Sequence, residues 1–228
     1  MSKPNGYILS ESENHVVIAT GFADKSANLK TGNMIQIFIL YKHENPYLAT
    51  VSGNDKAVCF DCPLRPSIAR PAGKTPCYVK TIHAPASIWK AYNRGNYSLL
   101  TDYSIFGGRK VRFGAYGEPV LIPFKIVREI AVYSFGWTGY THQWKSPLYQ
   151  AYKAYFMASC DESDYELANS MGWRAFIVKP ESTVFEQGTA AVCPASKEFG
   201  KKLNCVDCLA CSGLTGRGKK NIQINLHR

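Results

Sequence analysis

The spacing of the cysteines constrains this chain more than any other feature of its sequence. Seven of the eight cysteines fall into two groups, one of three and one of four. The members are Cys59, Cys62 and Cys77 in the first group, and Cys193, Cys205, Cys208 and Cys211 in the second. Thiolates separated by two residues can surround one metal ion or iron–sulfur cluster, so each group predicts a metal site. The fold must therefore hold two distant loops in fixed positions.

The first group lies in a segment, residues 57–78, that is rich in residues that break regular structure. These residues are Pro63, Pro66, Pro71, Gly73 and Pro76. They predict a long loop without regular helix or central strand. Such a loop is uncommon in a compact domain unless something orders it. We expect its three cysteines to bind a [4Fe–4S] cluster with one open iron, or a zinc ion with His83 as fourth ligand.

The second group favours a closed site with four sulfur ligands. Cys193 precedes the run Cys205-x2-Cys208-x2-Cys211, and His227 is an alternative to Cys193 as the fourth ligand. Thiolate suits both zinc and iron, so spacing leaves the choice between a zinc ion and an iron–sulfur cluster open. Cys160 stands alone, and we interpret it as a small apolar core residue.

The positive charge of the chain is concentrated near the second cysteine group. The net charge is +10, and residues 197–228 supply half of it, with seven Lys and Arg against two acidic residues. A basic surface binds phosphates and releases their counterions, which predicts nucleic acid as a partner. The alternative is a basic surface that serves only solubility.

The sequence shows no signal peptide or membrane span. Its longest apolar run, residues 34–41, is about half the length needed to cross a bilayer. We therefore expect a cytoplasmic protein without membrane contact. In that compartment cysteines stay reduced, which favours metal binding over disulfides.

Hydrophobic patterning predicts an α/β fold in a single domain, residues 1–228. Residues 1–56 are rich in strand-forming runs, at 15–19 and 34–41, and predict a small N-terminal antiparallel sheet. Residues 57–192 alternate short apolar strands with helices, which is typical of βα units around a parallel sheet. We expect a partial or open βα barrel, followed by a cysteine-rich metal module at 193–228.

Individual elements of this core can be placed along the chain. Helices are predicted at residues 85–92, 123–133, 146–154 and 163–170, the last with capping-box spacing from Ser163 to Glu166. Strands are predicted at residues 110–113, 155–159, 173–178 and 189–192.

Polar residues at the ends of these strands are the candidates for catalysis, because active sites of such folds gather at the carboxyl ends of the strands. Glu118 follows one strand in the motif Gly117-Glu118-Pro119. His142, in a loop dense in polar and aromatic residues, is a candidate acid, base or substrate-binding group. Asp161 ends another strand, and Arg174 begins the next.

Several motifs together resemble a family of small phage and plasmid proteins. The residues that carry the resemblance lie between 31 and 227 and include Cys59-x2-Cys62-Pro63, Gly114-Ala115-Tyr116-Gly117-Glu118-Pro119, Thr138-Gly139-Tyr140-Thr141-His142-Gln143-Trp144 and Cys193-Pro194-Ala195-Ser196. Within larger superfamilies the pattern is similar to radical-SAM enzymes. These have partial βα barrels, with a three-cysteine [4Fe–4S] loop after the first strand and Gly-Gly-Glu-Pro after the second.

The radical-SAM resemblance implies roles for particular residues. Cys59, Cys62 and Cys77 would be the iron ligands, and S-adenosylmethionine would be a cofactor. Tyr78 would lie beside its adenine, and Gly117 and Glu118 would bind its amino end. The implied function is an iron–sulfur enzyme acting on nucleic acid or a nucleotide-derived substrate, in the host cytoplasm if the gene is carried by a phage.

Two alternatives stay open at this point. The first is a zinc-dependent enzyme similar to guanine transglycosylases, with Cys205, Cys208, Cys211 and His227 as zinc ligands and Asp161 as nucleophile. The second is a zinc-containing protein without enzymatic activity that binds nucleic acid in phage or plasmid replication. In that case both cysteine groups would be structural.

Overall fold

The structure is a computed structural model that describes residues 4–23, 31–74, 77–181, 183–185, 188, 190–200 and 203–226. It shows an α/β fold with one mixed and one parallel sheet. The strands of the described residues are β1 (Gly6–Glu11), β2 (His15–Thr20), β3 (Ile35–Tyr41), β4 (Ser98–Leu99), β5 (Lys110–Tyr116), β6 (Gly136–Thr138), β7 (Tyr140–Thr141), β8 (Met157–Asp161), β9 (Ala175–Lys179), β10 (Ala190–Val192) and β11 (Asn221–Asn225).

The first sheet has the order β4-β1-β2-β3-β5-β6. Strands β1, β2 and β3 are antiparallel neighbours, which confirms the antiparallel pairing predicted for the N-terminal residues. They do not form a separate small sheet, however, because β3 also pairs with β5 in parallel, and β5 with β6. The side chains of β2 and β3 are mostly buried, as expected for strands in the middle of a sheet covered on both faces.

The second sheet has the order β10-β11-β9-β8-β7, and all its strands are parallel. Only Gly139 separates β6 of the first sheet from β7 of the second. A Cβ at Gly139 would lie 2.8 Å from the ring of Phe156, so a side chain has no room at this junction. One chain segment, made of β6 and β7, thus links the two sheets. Parallel neighbours follow one another in the order β3, β5, β6 in the first sheet and β7, β8, β9, β11 in the second.

The helices cover the sheets and carry the loops at their edges. They are α1 (Pro46–Ser52), α2 (Lys56–Cys59), α3 (Pro66–Ala69), α4 (Ala84–Asn93), α5 (Phe124–Tyr133), α6 (Tyr165–Ser170) and α7 (Cys205–Cys208). None of the helices in the described ranges is long and apolar enough to cross a membrane.

Several local predictions were wrong for identifiable reasons. Residues 57–78 were expected to lack helix, but α3 forms there because Pro66 occupies the first helical position, where no backbone N–H is needed. The capping box predicted before α6 is not formed, since α6 begins after Asp164 without a side-chain capping bond. The helix predicted at residues 146–154 does form, at Pro147–Ala154, and it is a 3-10 helix.

The C-terminal residues contribute to the parallel sheet. Strand β11 lies between β9 and β10, a position that the sequence did not predict. The peptide N–H of Cys193, just after β10, donates to the carbonyl of Gln223 in β11 at 2.9 Å. Residues 193–226 are therefore connected to the sheet by a strand of their own.

Candidate metal centre

Glu118 is placed by a turn at the end of β5 that requires glycine. Gly117 has a φ of +81°, and a Cβ there would lie 2.7 Å from both the carbonyl oxygen and the Cβ of Ile39 in β3. The peptide N–H of Glu118 donates to the carbonyl of Val58 in α2 at 2.8 Å. The turn thus holds Glu118 against β3 and against the helix that carries Cys59.

The Glu118 carboxylate is buried and receives hydrogen bonds from the segment that ends β7. The residue is 4% exposed. Thr141 Oγ1 donates to Oε2 at 2.5 Å, and the peptide N–H of His142 donates to Oε1 at 3.2 Å. Nδ1 of His142 lies 2.8 Å from Oε1. A buried carboxylate needs such partners, so these contacts fix the ends of β5 and β7 relative to each other.

His142 links Glu118 to the first cysteine group. Burial by itself would lower the pKa of His142, but hydrogen bonds to Cys62 and Glu118 and their negative charges raise this pKa to about 10. The Cys62 sulfur, a Glu118 oxygen and a ring nitrogen of His142 all lie within 4.8 Å of one another. Thiolate, imidazole and carboxylate are the ligand types that bind zinc and other transition metals.

A buried ion pair orders the segment between α1 and α3. Nε of Arg65 donates to Oδ1 of Asp55 at 3.0 Å, and Nη2 approaches the same oxygen at 2.5 Å. Arg65 also donates to the carbonyls of Phe60 at 3.0 Å and Gly53 at 2.7 Å. The Arg65 guanidinium thus has partners in several parts of this proline-rich segment, and these charge-assisted hydrogen bonds order the segment without a large core.

The cysteines of the first group lie near one another. Burial raises the pKa of Cys59 well above its ordinary value, and the nearby charges of Glu118, Cys62 and Cys77 add to this effect. The peptide N–H of Cys77 donates to the carbonyl of Leu64 at 2.7 Å, which brings the end of the loop back towards its beginning. The fourteen residues between Cys62 and Cys77 are thereby closed into a loop.

The cysteines of the second group gather around one place, although no three of their sulfur atoms, all in the described ranges, lie within 4.8 Å of one another. Cys193, Cys205, Cys208 and Cys211 line one small cavity of about 20 Å³, together with Thr138 and Ile222 among other residues. Burial raises the pKa of Cys211, and the charges of the other three cysteines raise it further. A cavity of this size with several sulfur atoms in its wall suits a single ion.

Two of the three Cys-x2-Cys pairs in these loops enclose a residue with an unusual backbone. Among the described residues other than glycine, positive φ occurs only at Phe60, with 50°, and at Leu209, with 54°. Phe60 lies between Cys59 and Cys62, and Leu209 lies between Cys208 and Cys211. Such conformations cost free energy and persist where the surroundings impose them, which favours tight turns that aim two thiolates inwards.

Arg174 supports the loop of the second group. Its Nη1 donates to the carbonyls of Ala210 at 3.1 Å and Gly213 at 2.9 Å, and its Nη2 donates to the carbonyl of Lys220. The residue is 6% exposed, and burial lowers its pKa, an effect that the charge of Cys211 opposes. Arg174 is thus a positive charge beside buried thiols, rather than a group of the Glu118 site.

The other candidate residues from the sequence occupy different positions. Asp161 ends β8 as an exposed residue, and among the described residues no hydrogen bond or ion pair joins it to Glu118 or His142. His83 is exposed at the N-terminal cap of α4. His227 lies outside the described residues. Cys160 is buried, as predicted for a core residue. Tyr78 is 66% exposed.

Comparison of the chain with protein-family models, with curated proteins and with solved structures gives no match. Inferences about function therefore depend on the geometry of the site itself.

Some residues of the site carried no signal in the sequence. Thr141 donates to Glu118, and although it lies in the motif at residues 138–144, the sequence assigned it no role of its own. The Asp55–Arg65 pair joins residues ten positions apart, and neither was singled out. Their importance comes from burial and pairing, which depend on the packed fold.

Proposed function

We propose that the protein is a metal-dependent enzyme, iron–sulfur and radical-SAM-like, that acts on nucleic acid or a nucleotide-derived substrate. The observation that carries this proposal is the approach of Cys62, Glu118 and His142, whose ligand atoms lie within 4.8 Å of one another. Three reactive groups from three separate segments meet there, where β5 and β7 end. Such convergence is typical of a reaction centre rather than of a solvated surface.

The order of the elements supports the radical-SAM-like form of the proposal. Strand β3 begins the run of parallel neighbours, and the segment with Cys59, Cys62 and Cys77 follows it in the chain. Strand β5 is next, and Gly117-Glu118-Pro119 follows it directly. We propose that this run of strands is a partial or open βα barrel with its site at the carboxyl ends.

The donor set of the first group fits an iron–sulfur cluster. Its thiols are close enough for their charges to influence one another. The spacing differs from the Cys-x3-Cys-x2-Cys of radical-SAM enzymes, but the Cys77–Leu64 hydrogen bond and the Asp55–Arg65 pair return the long loop to the same place.

A buried hydroxyl beside these thiols is a further sign of fit. Tyr116 Oη is buried and has no hydrogen-bond partner among the described residues. Burial raises the pKa of Tyr116, and the charges of Cys59, Asp55 and Cys77 raise it further, which places the hydroxyl near the sulfurs. An orphaned donor at this position suits a ligand that brings acceptor atoms, as cluster sulfides would.

In this proposal Cys59, Cys62 and Cys77 hold the cluster, and Gly117, Glu118 and Tyr78 contact S-adenosylmethionine. The two cofactors together supply one-electron chemistry when bound. Glu118 offers a buried negative charge, held in position by Thr141 and His142. His142 holds a proton between Glu118 and Cys62, which gives the site an acid of raised pKa.

For the second group we propose a structural metal, a zinc ion or an iron–sulfur cluster, held by its four cysteines. Its support is the cavity that all four line. Arg174 offsets the negative charge that four thiolates leave around a divalent ion. Cys193 completes the set without the alternative ligand His227.

A nucleic-acid partner is supported by a cationic and aromatic surface near the second group. Phe135 is 62% exposed, with Nζ of Lys110 at 5.6 Å and the guanidinium of Arg217 at 5.9 Å from its ring centre. Phe135, Trp137 and Arg217 line a cavity of about 380 Å³. Exposed rings flanked by cations bind stacked bases and phosphates of single strands.

The geometry gives less support to the two alternatives. A transglycosylase-like reaction would use Asp161, which among the described residues makes no hydrogen bond or ion pair with Glu118 or His142. A protein without enzymatic activity would not need Cys62, His142 and Glu118 to converge.

Anaerobic purification, metal analysis and an absorption spectrum test the proposal. We expect iron, sulfide and a broad visible absorption that is lost in Cys77→Ala, together with cleavage of added S-adenosylmethionine under reducing conditions. Cys160→Ala is the matched control, because Cys160 is a buried cysteine outside both groups and should leave spectrum and cleavage intact. A colourless wild-type protein that contains only zinc would contradict the iron–sulfur assignment.

A further inference from the structure

Arg112 in β5 interacts electrostatically with a cysteine of each group. Burial raises the pKa of the Cys77 thiol, and the positive charge of Arg112 partly offsets this effect. Burial by itself would lower the pKa of Arg112, but the charges of Tyr78, Tyr140 and Cys205 raise it. Arg112 is therefore within electrostatic reach of Cys77 from the first group and Cys205 from the second.

The guanidinium of Arg112 has few partners in the protein. Nη2 donates to the hydroxyl of Tyr78 at 3.0 Å. Within the described ranges, no carboxylate lies within ion-pair distance of Arg112, although the residue is partly buried. The other buried arginines of the described residues have more partners, since Arg65 pairs with Asp55 and the Nη atoms of Arg174 donate to three carbonyls, although Arg174 Nε has no partner there. Arg112 makes a single side-chain hydrogen bond within the same ranges, which leaves donors for a ligand.

Two tyrosine hydroxyls meet at the same place. Tyr78 Oη, which accepts from Arg112, lies 3.4 Å from Tyr140 Oη. The Tyr140 ring stacks on Phe176 in β9, with ring centres 4.8 Å apart and planes at 12°. This stacking holds the Tyr140 hydroxyl in place, whereas Tyr78 is mostly exposed and borders solvent. The site thus combines a cation, two hydroxyls and an aromatic pair, and it opens on the Tyr78 side.

We propose that Arg112, with the hydroxyls of Tyr78 and Tyr140, binds an oxyanion of a small molecule, either a phosphate or a carboxylate group. A guanidinium fork matches two oxygens of such a group, and neutral hydroxyls add hydrogen bonds without adding repulsion. The Tyr140–Phe176 pair offers an apolar surface for the rest of the molecule.

The alternative role for Arg112 is to neutralise the thiolates of Cys77 and Cys205. That role explains the positive charge of Arg112. It does not explain why the Tyr78 and Tyr140 hydroxyls meet at the same place, because neutral hydroxyls carry no charge that would balance a thiolate. The role of the oxyanion site rests on the proposed function. If the Glu118 cluster is the reaction centre, the oxyanion site beside it would hold the charged end of a substrate. Its binding requires no metal, so the two proposals can fail separately.

Calorimetric titration of the purified wild-type protein with inorganic phosphate, and separately with acetate, tests the site. We expect saturable binding of at least one anion, weakened at least about tenfold in Arg112→Met and in Arg112→Lys, because lysine keeps the charge but lacks the fork. Tyr140→Phe keeps the stacked ring and should weaken binding less. Arg128→Met, which removes an exposed arginine from α5, is the control and should bind like wild type.

The pattern of results separates the possible outcomes. Tighter binding of phosphate assigns a phosphate-bearing ligand, and tighter binding of acetate assigns a carboxylate. Thermal melting and the milder Arg112→Lys variant show whether a loss of binding comes from a folding defect. A folded variant that binds the anion with wild-type affinity overturns the proposal. The proposal is also overturned if the wild-type protein binds neither phosphate nor acetate. That conclusion holds even if Arg112→Met lowers the metal content, because such a loss would show only that Arg112 stabilises a metal site. Loss of the iron–sulfur spectrum with intact anion binding would contradict the proposed function alone.

Discussion

Oε1 of Glu118 lies 2.8 Å from Nδ1 of His142, although the two residues are twenty-four positions apart and follow different strands. The Cys62 sulfur lies within 4.8 Å of a nitrogen of the same imidazole, so a carboxylate, an imidazole and a thiol meet in one cluster. Such a cluster holds a proton in a defined place and offers three ligand types to a metal.

The charge of His142 should make the stability of the chelator-treated protein depend on pH. The folded pKa of His142 is about 10, raised from its ordinary value of 6.5. A raised pKa stabilises the folded state fully below about pH 6.5, and this contribution is lost as pH rises towards about 10. We expect the free energy of unfolding, from urea titrations, to fall by a few kcal/mol over this interval.

His142→Gln is the comparison for that experiment, because glutamine keeps hydrogen bonding but does not titrate. Cysteines also ionise in this range, so the difference between the two proteins is the informative quantity. Equal slopes of unfolding free energy against pH in wild type and His142→Gln would show that His142 is not charged in the folded state.

Gly117→Ala should destabilise the protein more than an otherwise similar glycine substitution. Both Gly117, with φ +81°, and Gly53, with φ +85°, are left-handed, but nothing lies within 4 Å of a Cβ at Gly53. Gly53→Ala should therefore cost only the backbone strain, roughly 1–2 kcal/mol. Gly117→Ala adds overlap with Ile39, which should cost a further ~1–3 kcal/mol.

Urea unfolding of the two alanine variants measures this difference directly. We also expect Gly117→Ala, but not Gly53→Ala, to lower metal content at the first group, because the overlap displaces Glu118. Similar losses of stability in the two variants would contradict the expected overlap and would mean that β3 shifts enough to accommodate the added methyl group.

Arg174→Met should destabilise the folded protein by about 3 kcal/mol, because three carbonyls lose the charged donor that a buried arginine supplies. We expect metal at the second cysteine group to fall as well, since residues 210–220 lose their anchor. Chemical unfolding and metal analysis check both effects. The exposed Arg128→Met should change the free energy of unfolding by no more than about 0.5 kcal/mol.

Arg217→Ala should weaken binding of a single-stranded oligonucleotide and make it less sensitive to salt. Loss of one phosphate contact reduces the slope of log affinity against log salt by roughly 1. Fluorescence anisotropy at several salt concentrations measures this slope, with Arg128→Ala as the matched exposed arginine. Identical slopes in wild type and Arg217→Ala would remove the Phe135 surface from the proposed interface.

The local sequence predicted many elements close to their positions. Residues 123–133 were expected to be helical from their amphipathic spacing, and α5 spans Phe124–Tyr133. The apolar run at 34–41 was expected to form a strand, and β3 spans Ile35–Tyr41. These elements follow from periodicity because each buries one face or both faces against a core, whatever the details of that core.

Other features could not be read from local patterns. Strand β11 contains Asn221, Gln223 and Asn225, which weaken the apolar signal of a central strand. Burial of Gln223 and Asn225 is tolerated because their side-chain amides donate to carbonyls of residues 190 and 183. These partners exist only after the chain has folded. The polar residues of this segment therefore kept the local sequence from predicting strand β11.

The sequence by itself determined the composition of the two cysteine groups, the βα alternation and the candidacy of Glu118 and His142. It could do so because spacing and periodicity act over a few residues. Only the tertiary structure decided that Cys62, Glu118 and His142 meet while Asp161 is not among them, and that Arg112 donates to the Tyr78 hydroxyl. Those relations depend on the parallel pairing of β3, β5 and β6 and on the close contact of Gly117 with Ile39. Register and packing of this kind are set by the whole core, not by any single segment.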